Sequence, residues 1–128
     1  MSYSQRQVVE VFMLVSAPSQ EFDLILALSR DLDLSPKQVG EILDIHPRTL
    51  LRRQESGTLE EAELLKAQML DEVLKLAITA FHDAGKAKAW LFLEVAALDF
   101  GRPVDQLKTI RGYERVKNLL GQTIFGVY

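Results

Sequence analysis

The segment that most restricts how this chain can fold runs from Leu59 to His82. Thr58 and Glu61 have the T-x-x-E spacing of a reciprocal helix cap, and Asp83-Ala84-Gly85 supplies a stop with glycine near the C′ position. Between them, Gln68, Asp71, Glu72, Lys75 and Thr79 share one side. The remainder is apolar: Ala62, Leu65, Met69, Leu70, Val73, Leu74, Leu76, Ala77, Ile78, Ala80 and Phe81. That arc is wider than one contact face needs. Such a helix is either the spine of the fold or part of a dimer interface.

The flanking segments also read as helices, so the expected class is all-α. Ser19 is a plausible N-cap for a helix reaching about Leu32, with Phe22, Ile25, Leu26 and Ser29 on one stripe and Leu28 and Leu32 beside it. Ser35-Pro36 repeats the start signal, and Val39, Ile42 and Leu43 follow at helical spacing. His46-Pro47 opens another short helix through about Ser56, ended by Gly57. After the long helix, a further one is expected from Lys86 to about Leu98, a turn at Gly101-Arg102-Pro103, and short helices near 104–108 and 113–120. Gly121 and Gly126 punctuate the tail. Residues 8–15, VVEVFMLV, suit a short strand or an apolar arm packed on the core or on a second subunit. The expected organisation is an arm over 1–18, a helix-turn-helix region over 19–57, and the long helix with a C-terminal domain over 58–128.

A chain of 128 residues is about one domain's worth and holds a core without staples. It has no cysteine, which removes disulfides, thiolate zinc sites and a cysteine nucleophile and suits a reducing compartment. The start lacks a small-residue cleavage site, and no apolar run approaches the ~20 residues that span a bilayer, so a cytoplasmic protein without membrane association is expected. The net charge of −3 is uneven: residues 35–57 carry +1 and residues 101–128 carry +3, against −3 for residues 1–34 and −4 for residues 58–100. That balance argues against a general nucleic-acid coat and leaves two basic segments for local anionic contacts.

Catalytic chemistry has little to build on. Ala84-Gly85-Lys86 lacks the flanking glycine and hydroxyl of a phosphate loop. The two histidines, His46 and His82, lie in different segments with no ligand spacing around them. The carboxylates read as solvated helix faces. No enzymatic activity, cofactor, metal or small-molecule substrate is expected.

Residues 35–54, SPKQVGEILDIHPRTLLRRQ, fit a helix-turn-helix. Gly40 is small where the two helices cross, and Asp44 sits where the chain turns and tolerates a left-handed conformation better than most residues. Ile45 and Leu50 plug the angle between the helices, while Arg48 and Arg52, four apart, share the outward face. The candidate DNA-binding residues are Lys37, Gln38, His46, Arg48, Thr49, Arg52 and Arg53. Leu51 is also outward and has no hydrogen-bonding group, which suits either a thymine methyl or a partner other than DNA.

The string KAKAWLFLEVAALDFGRPVDQLKTIRGYERVKNLLGQTIFGVY resembles the toxin-binding domain of the Xre/MbcA/ParS antitoxins. The matching features are Ala89-Trp90-Leu91, Ala97-Leu98, Gly101-Arg102-Pro103 with Asp105 and Leu107, Thr109 and Gly112, then Val116, Leu119-Leu120-Gly121 and Gly126-Val127. DIHPRTLLRR is similar to the family's upstream helix-turn-helix, with Asp44 in place of the usual turn glycine. FLEVAALDF reads as more helical than the proline-asparagine segment the family often has there.

The resemblance implies a type II antitoxin whose partner is a RES-type toxin of the ADP-ribosyltransferase-like class acting on NAD. It implies further that the antitoxin binds no NAD and that the pair represses its own promoter through operator DNA, with a homodimer placing two units on half-sites. The candidate toxin-binding residues are Arg102, Arg115, Ile124, Phe125, Val127 and Tyr128, with aromatic and arginine anchors expected to dominate. Two other readings stand beside this one: a stand-alone helix-turn-helix regulator, and a helical protein-interaction module whose helix pair is purely structural.

Overall fold

The computed structural model describes residues 20–125. The expected Ser19 cap, the 8–15 segment, and Val127 and Tyr128 lie outside these residues. Among them the fold is all-α. Its helices are α1 (Phe22–Leu32), α2 (Pro36–Ile42), α3 (Pro47–Ser56), α4 (Glu61–Phe81), α5 (Ala84–Leu91) and α6 (Ile110–Phe125). Two 3₁₀ turns, Ala96–Leu98 and Pro103–Lys108, lie between α5 and α6. No described helix is long and apolar enough to cross a membrane.

The long helix is the spine. Ala67, Met69, Leu70, Val73, Leu74 and Ala77 are buried on it, and α1, α5, α6 and the second 3₁₀ turn pack around it. Its cap differs from the T-x-x-E expectation. Glu60 is the N-cap and Glu63 closes the box, the Glu63 carboxylate accepting from the Glu60 N–H at 2.9 Å. Thr58 instead shares a hydrogen bond with Ser56 at 3.1 Å, so α4 starts two residues later than expected. The Glu63 carboxylate also receives Arg53 from α3, and this cross-link selects the later register.

The far end of α4 is also resolved differently. His82 adopts the left-handed C-cap at φ 56°, Asp83 caps α5 by accepting from the Lys86 N–H at 2.8 Å, and Gly85 lies inside α5. The stop therefore comes before the glycine. FLEVAALDF is not helical beyond Phe92. Its chain turns back through an isolated bridge between Val95 and Gly101 and a single 3₁₀ turn, and buried Leu98 docks it on the core. Helix α6 is longer at both ends than the expected 113–120, because Tyr113, Val116 and Leu120 keep one face buried along α4.

The N-terminal half follows its punctuation closely. Ser35 and Gln38 cap α2 reciprocally, at 3.1 Å and 2.8 Å. Gly57 ends α3 at φ 77°. On α1 the buried stripe is Phe22, Ile25, Leu28 and Leu32, whereas Leu26 faces solvent. The buried residues of both halves form one apolar cluster, so α1 to α3 and the C-terminal region share a core.

Candidate functional site

The first candidate surface is built on α2 and α3. Asp44 turns the chain between them at φ 60°. A Cβ at Gly40 would lie 3.1 Å from Leu50 Cδ2, so the glycine lets α3 close on α2. Ile45 and Leu50 are buried in the angle, as their spacing suggests. This clamp fixes which side of α3 faces water.

That side carries Arg48, Leu51 and Arg52, all exposed, with Leu51 at 61% the most open apolar group on it. His46 caps α3, its Nδ1 accepting from the Arg48 N–H at 3.2 Å. Thr49 accepts from Arg52 Nη2 at 3.3 Å, which leans that guanidinium along the helix. Lys37 is exposed on α2, and Gln38 is engaged in the cap.

Arg53 stands apart. It donates to both Glu63 carboxylate oxygens, at 2.8 Å and 3.3 Å, and lies 3.0 Å from Glu60. Partial burial pushes the Glu63 carboxyl up, but the Arg53 hydrogen bond, the Glu60 N–H and the nearby arginine charges hold it below the usual carboxylate range. Arg53 is thus a strut between α3 and the start of α4. The four candidate positions on α3 separate into exposed Arg48 and Arg52, half-buried Thr49 and sequestered Arg53.

The second candidate surface lies on the C-terminal part. Arg102 forms a two-point pair with Asp105, at 2.8 Å and 3.0 Å, and its guanidinium sits 5.8 Å from the centre of the Phe92 ring. Arg115 donates to the Ala97 carbonyl at 2.8 Å and lies 3.5 Å from Asp99, so it anchors the turned loop to α6. Ile124 is half-buried near the end of α6. Phe125 is the last residue of α6.

The two surfaces meet at one groove. Gln38 and Ile42 of α2 line it on one side, and Phe92 and Arg102 line it on the other. Gln38 of the DNA-binding candidates and Arg102 of the toxin-binding candidates therefore share a wall. A separate groove near the start of α6 brings Arg115 together with Gln106, Thr109, Arg111 and Gly112. Thr109 caps this helix, its hydroxyl accepting from the Gly112 N–H at 3.0 Å.

Sequence reasoning missed Arg111 and Phe100. Arg111 has no motif to mark it, and Phe100 was hidden in a segment read as helix. Among the described residues no group of three or more histidine, aspartate or glutamate side chains is placed to hold a metal ion.

Residues 76–126 match the family model of the antitoxin Xre/MbcA/ParS C-terminal toxin-binding domain. The matched stretch takes in the last turns of α4, α5, the turned loop and α6. No curated protein matches the chain.

Proposed function

We propose, from the match of residues 76–126 to the toxin-binding domain of the Xre/MbcA/ParS antitoxins, that this protein is the antitoxin of a type II pair whose toxin is a RES-type, NAD-consuming enzyme. The family match is the single observation that carries the reading. The geometry is compatible with two modes of inhibition. Arg102 and Arg115 are half-exposed cations on the matched region, and half-buried Ile124 sits near the end of α6, where it would meet a partner's cleft. An inhibitor of this kind needs to occlude a cleft and requires no reaction of its own.

The same reading assigns repression of the pair's own promoter to α2 and α3. Exposed Lys37, Arg48 and Arg52, with half-buried Thr49 between them, form the polar set that would meet phosphates and base edges. Two copies on half-sites one turn apart would raise a weak single contact to a useful affinity. Six residues of α4 are spent on the chain's own core, which leaves Leu65 and Ile78 as its exposed large apolar residues for pairing copies.

One observation favours the third reading, a helix pair that binds protein and not DNA: exposed Leu51 sits between Arg48 and Arg52, and Arg53 is withdrawn. A footprint on promoter DNA that persists at physiological salt decides against it.

The primary test is co-expression with the adjacent reading frame. Growth rescue and co-elution are the expected results. A neighbour that is harmless and does not co-elute removes the antitoxin reading and leaves promoter binding as the function to assay.

A further inference from the structure

The loop between α5 and the second 3₁₀ turn holds an aromatic residue in an unfavourable place. Asp99 and Phe100 have φ values of 56° and 63°. Two successive left-handed residues, one of them bulky, persist only where the surroundings impose them. Here the Val95 N–H donates to the Gly101 carbonyl at 3.1 Å, and the Phe100 N–H donates to the Val95 carbonyl at 3.0 Å. Leu98 is buried beneath, and Arg115 grips the Ala97 carbonyl from α6. All of this positions a ring that is 69% exposed. The loop's hydrogen bonds and Leu98 hold the backbone, but the Phe100 side chain itself packs on nothing in the core.

The loop adjoins a cationic groove. Arg115, which holds the loop, also lines the groove at the start of α6. Arg111 lies one turn earlier on the same face and lines it too. Arg111 is exposed and has no carboxylate partner among the described residues, whereas Arg102 and Arg115 each have one. Residues 101–128 carry +3 in a chain of net −3. A preset aromatic on a loop that Arg115 ties to this groove, with an unneutralised arginine in the groove, is the composition of an interface anchor.

We propose that Phe100 and Arg111 form a two-part anchor for the toxin, with the Phe100 ring entering an apolar pocket and Arg111 pairing with a carboxylate on its rim. The proposal rests on the toxin–antitoxin reading and deepens it. It locates a grip on the loop before the second 3₁₀ turn and on the start of α6. The partner surface it requires is acidic around an apolar depression.

The test uses the full chain and the product of the adjacent reading frame, with affinity measured by titration calorimetry. Phe100→Gly relieves the positive φ while removing the ring. It is expected to melt no earlier than the wild type and to bind at least about tenfold more weakly. Arg111→Glu is expected to weaken binding with a deficit that narrows at high salt. Wild-type binding with unchanged affinity in Phe100→Gly overturns the anchor and leaves the antitoxin reading intact. Absence of wild-type binding overturns both. If the chain alone is a dimer that Phe100→Gly dissociates, the ring belongs to a contact with a second copy and the proposal falls.

Discussion

The phenolic hydroxyl of Tyr113 donates a hydrogen bond to the Glu72 carboxylate and so ties the first turns of α6 to the middle of α4. Lys117 joins them, 3.3 Å from Glu72 and 5.0 Å from the centre of the Tyr113 ring. The Tyr113 ring is buried and Glu72 is half-exposed, so the contact sits at the edge of the core. It fixes the helix that carries Arg111, Arg115 and Ile124 against the spine. Replacing Tyr113 with Phe keeps the packing and removes the hydrogen bond. Glu72 can return to water, so the expected loss is about 0.5–1.5 kcal/mol in urea unfolding at neutral pH.

Acid is expected to weaken the fold through two carboxylates. The Tyr113 hydrogen bond, aided by Lys117, holds Glu72 below its ordinary range, and Arg53 does the same for Glu63 against partial burial. Both groups bind a proton less readily folded than unfolded. Their stabilisation is therefore complete above the ordinary glutamate pKa, about 4.3, and is lost as pH falls through the lower folded values. Stability measured from pH 7 downward is expected to drop steeply below about pH 4.5. Glu63→Gln and Glu72→Gln are each expected to flatten that limb, and an unchanged slope in both would refute the assignment.

Two glycines of α6 are expected to behave oppositely. A Cβ at Gly112 would lie 1.9 Å from the Gln106 carbonyl oxygen, which belongs to backbone and cannot swing aside. Gly112→Ala is expected to cost about 3 kcal/mol or more, or to prevent folding. A Cβ at Gly121 meets nothing within 4 Å. Gly121→Ala is expected to gain roughly 0.5–1 kcal/mol, the ordinary helix preference. Thermal melts of the two variants check both.

The arginines of α3 are expected to separate by phenotype. Arg53→Ala strands Glu63, whose side chain is only 14% exposed, and should cost about 1–3 kcal/mol. Joint replacement of Arg48 and Arg52 by Ala should change stability by no more than about 0.5 kcal/mol. The same double variant should lose operator binding, read in a gel-shift titration. Full affinity in it would mean that this face does not meet DNA.

Much of the local structure was readable from cap chemistry. Ser35-Pro36, His46-Pro47 and Gly57 marked helix ends that the structure keeps, because each residue satisfies or frees backbone groups within its own turn. Asp44 and Gly40 were legible for the same reason: backbone conformation and van der Waals size are properties of the residue itself. The all-α class followed from the periodicity of α4, whose apolar arc demanded a shell of partners. The family resemblance pointed to the C-terminal domain and to Arg102 and Arg115 as candidates in it.

Other features depended on groups distant in sequence. The sequence pointed to Thr58 as the cap, but Glu60 takes the position, with Glu63 closing the box and also receiving Arg53 from α3. The same contact withdrew Arg53 from a face its neighbours occupy. FLEVAALDF has a composition that suits a helix. It turns instead because buried Leu98 and the Arg115 side chain hold it against the core and α6, and only then does Phe100 stand out in water. The sequence alone determined where helices begin and which residues can tolerate a turn, since those preferences act over one or two turns of chain. Only the tertiary structure decided which charges are neutralised and which aromatic is left exposed. For Arg53 and Arg115 those outcomes are set by partners ten or more residues away, brought together by the core.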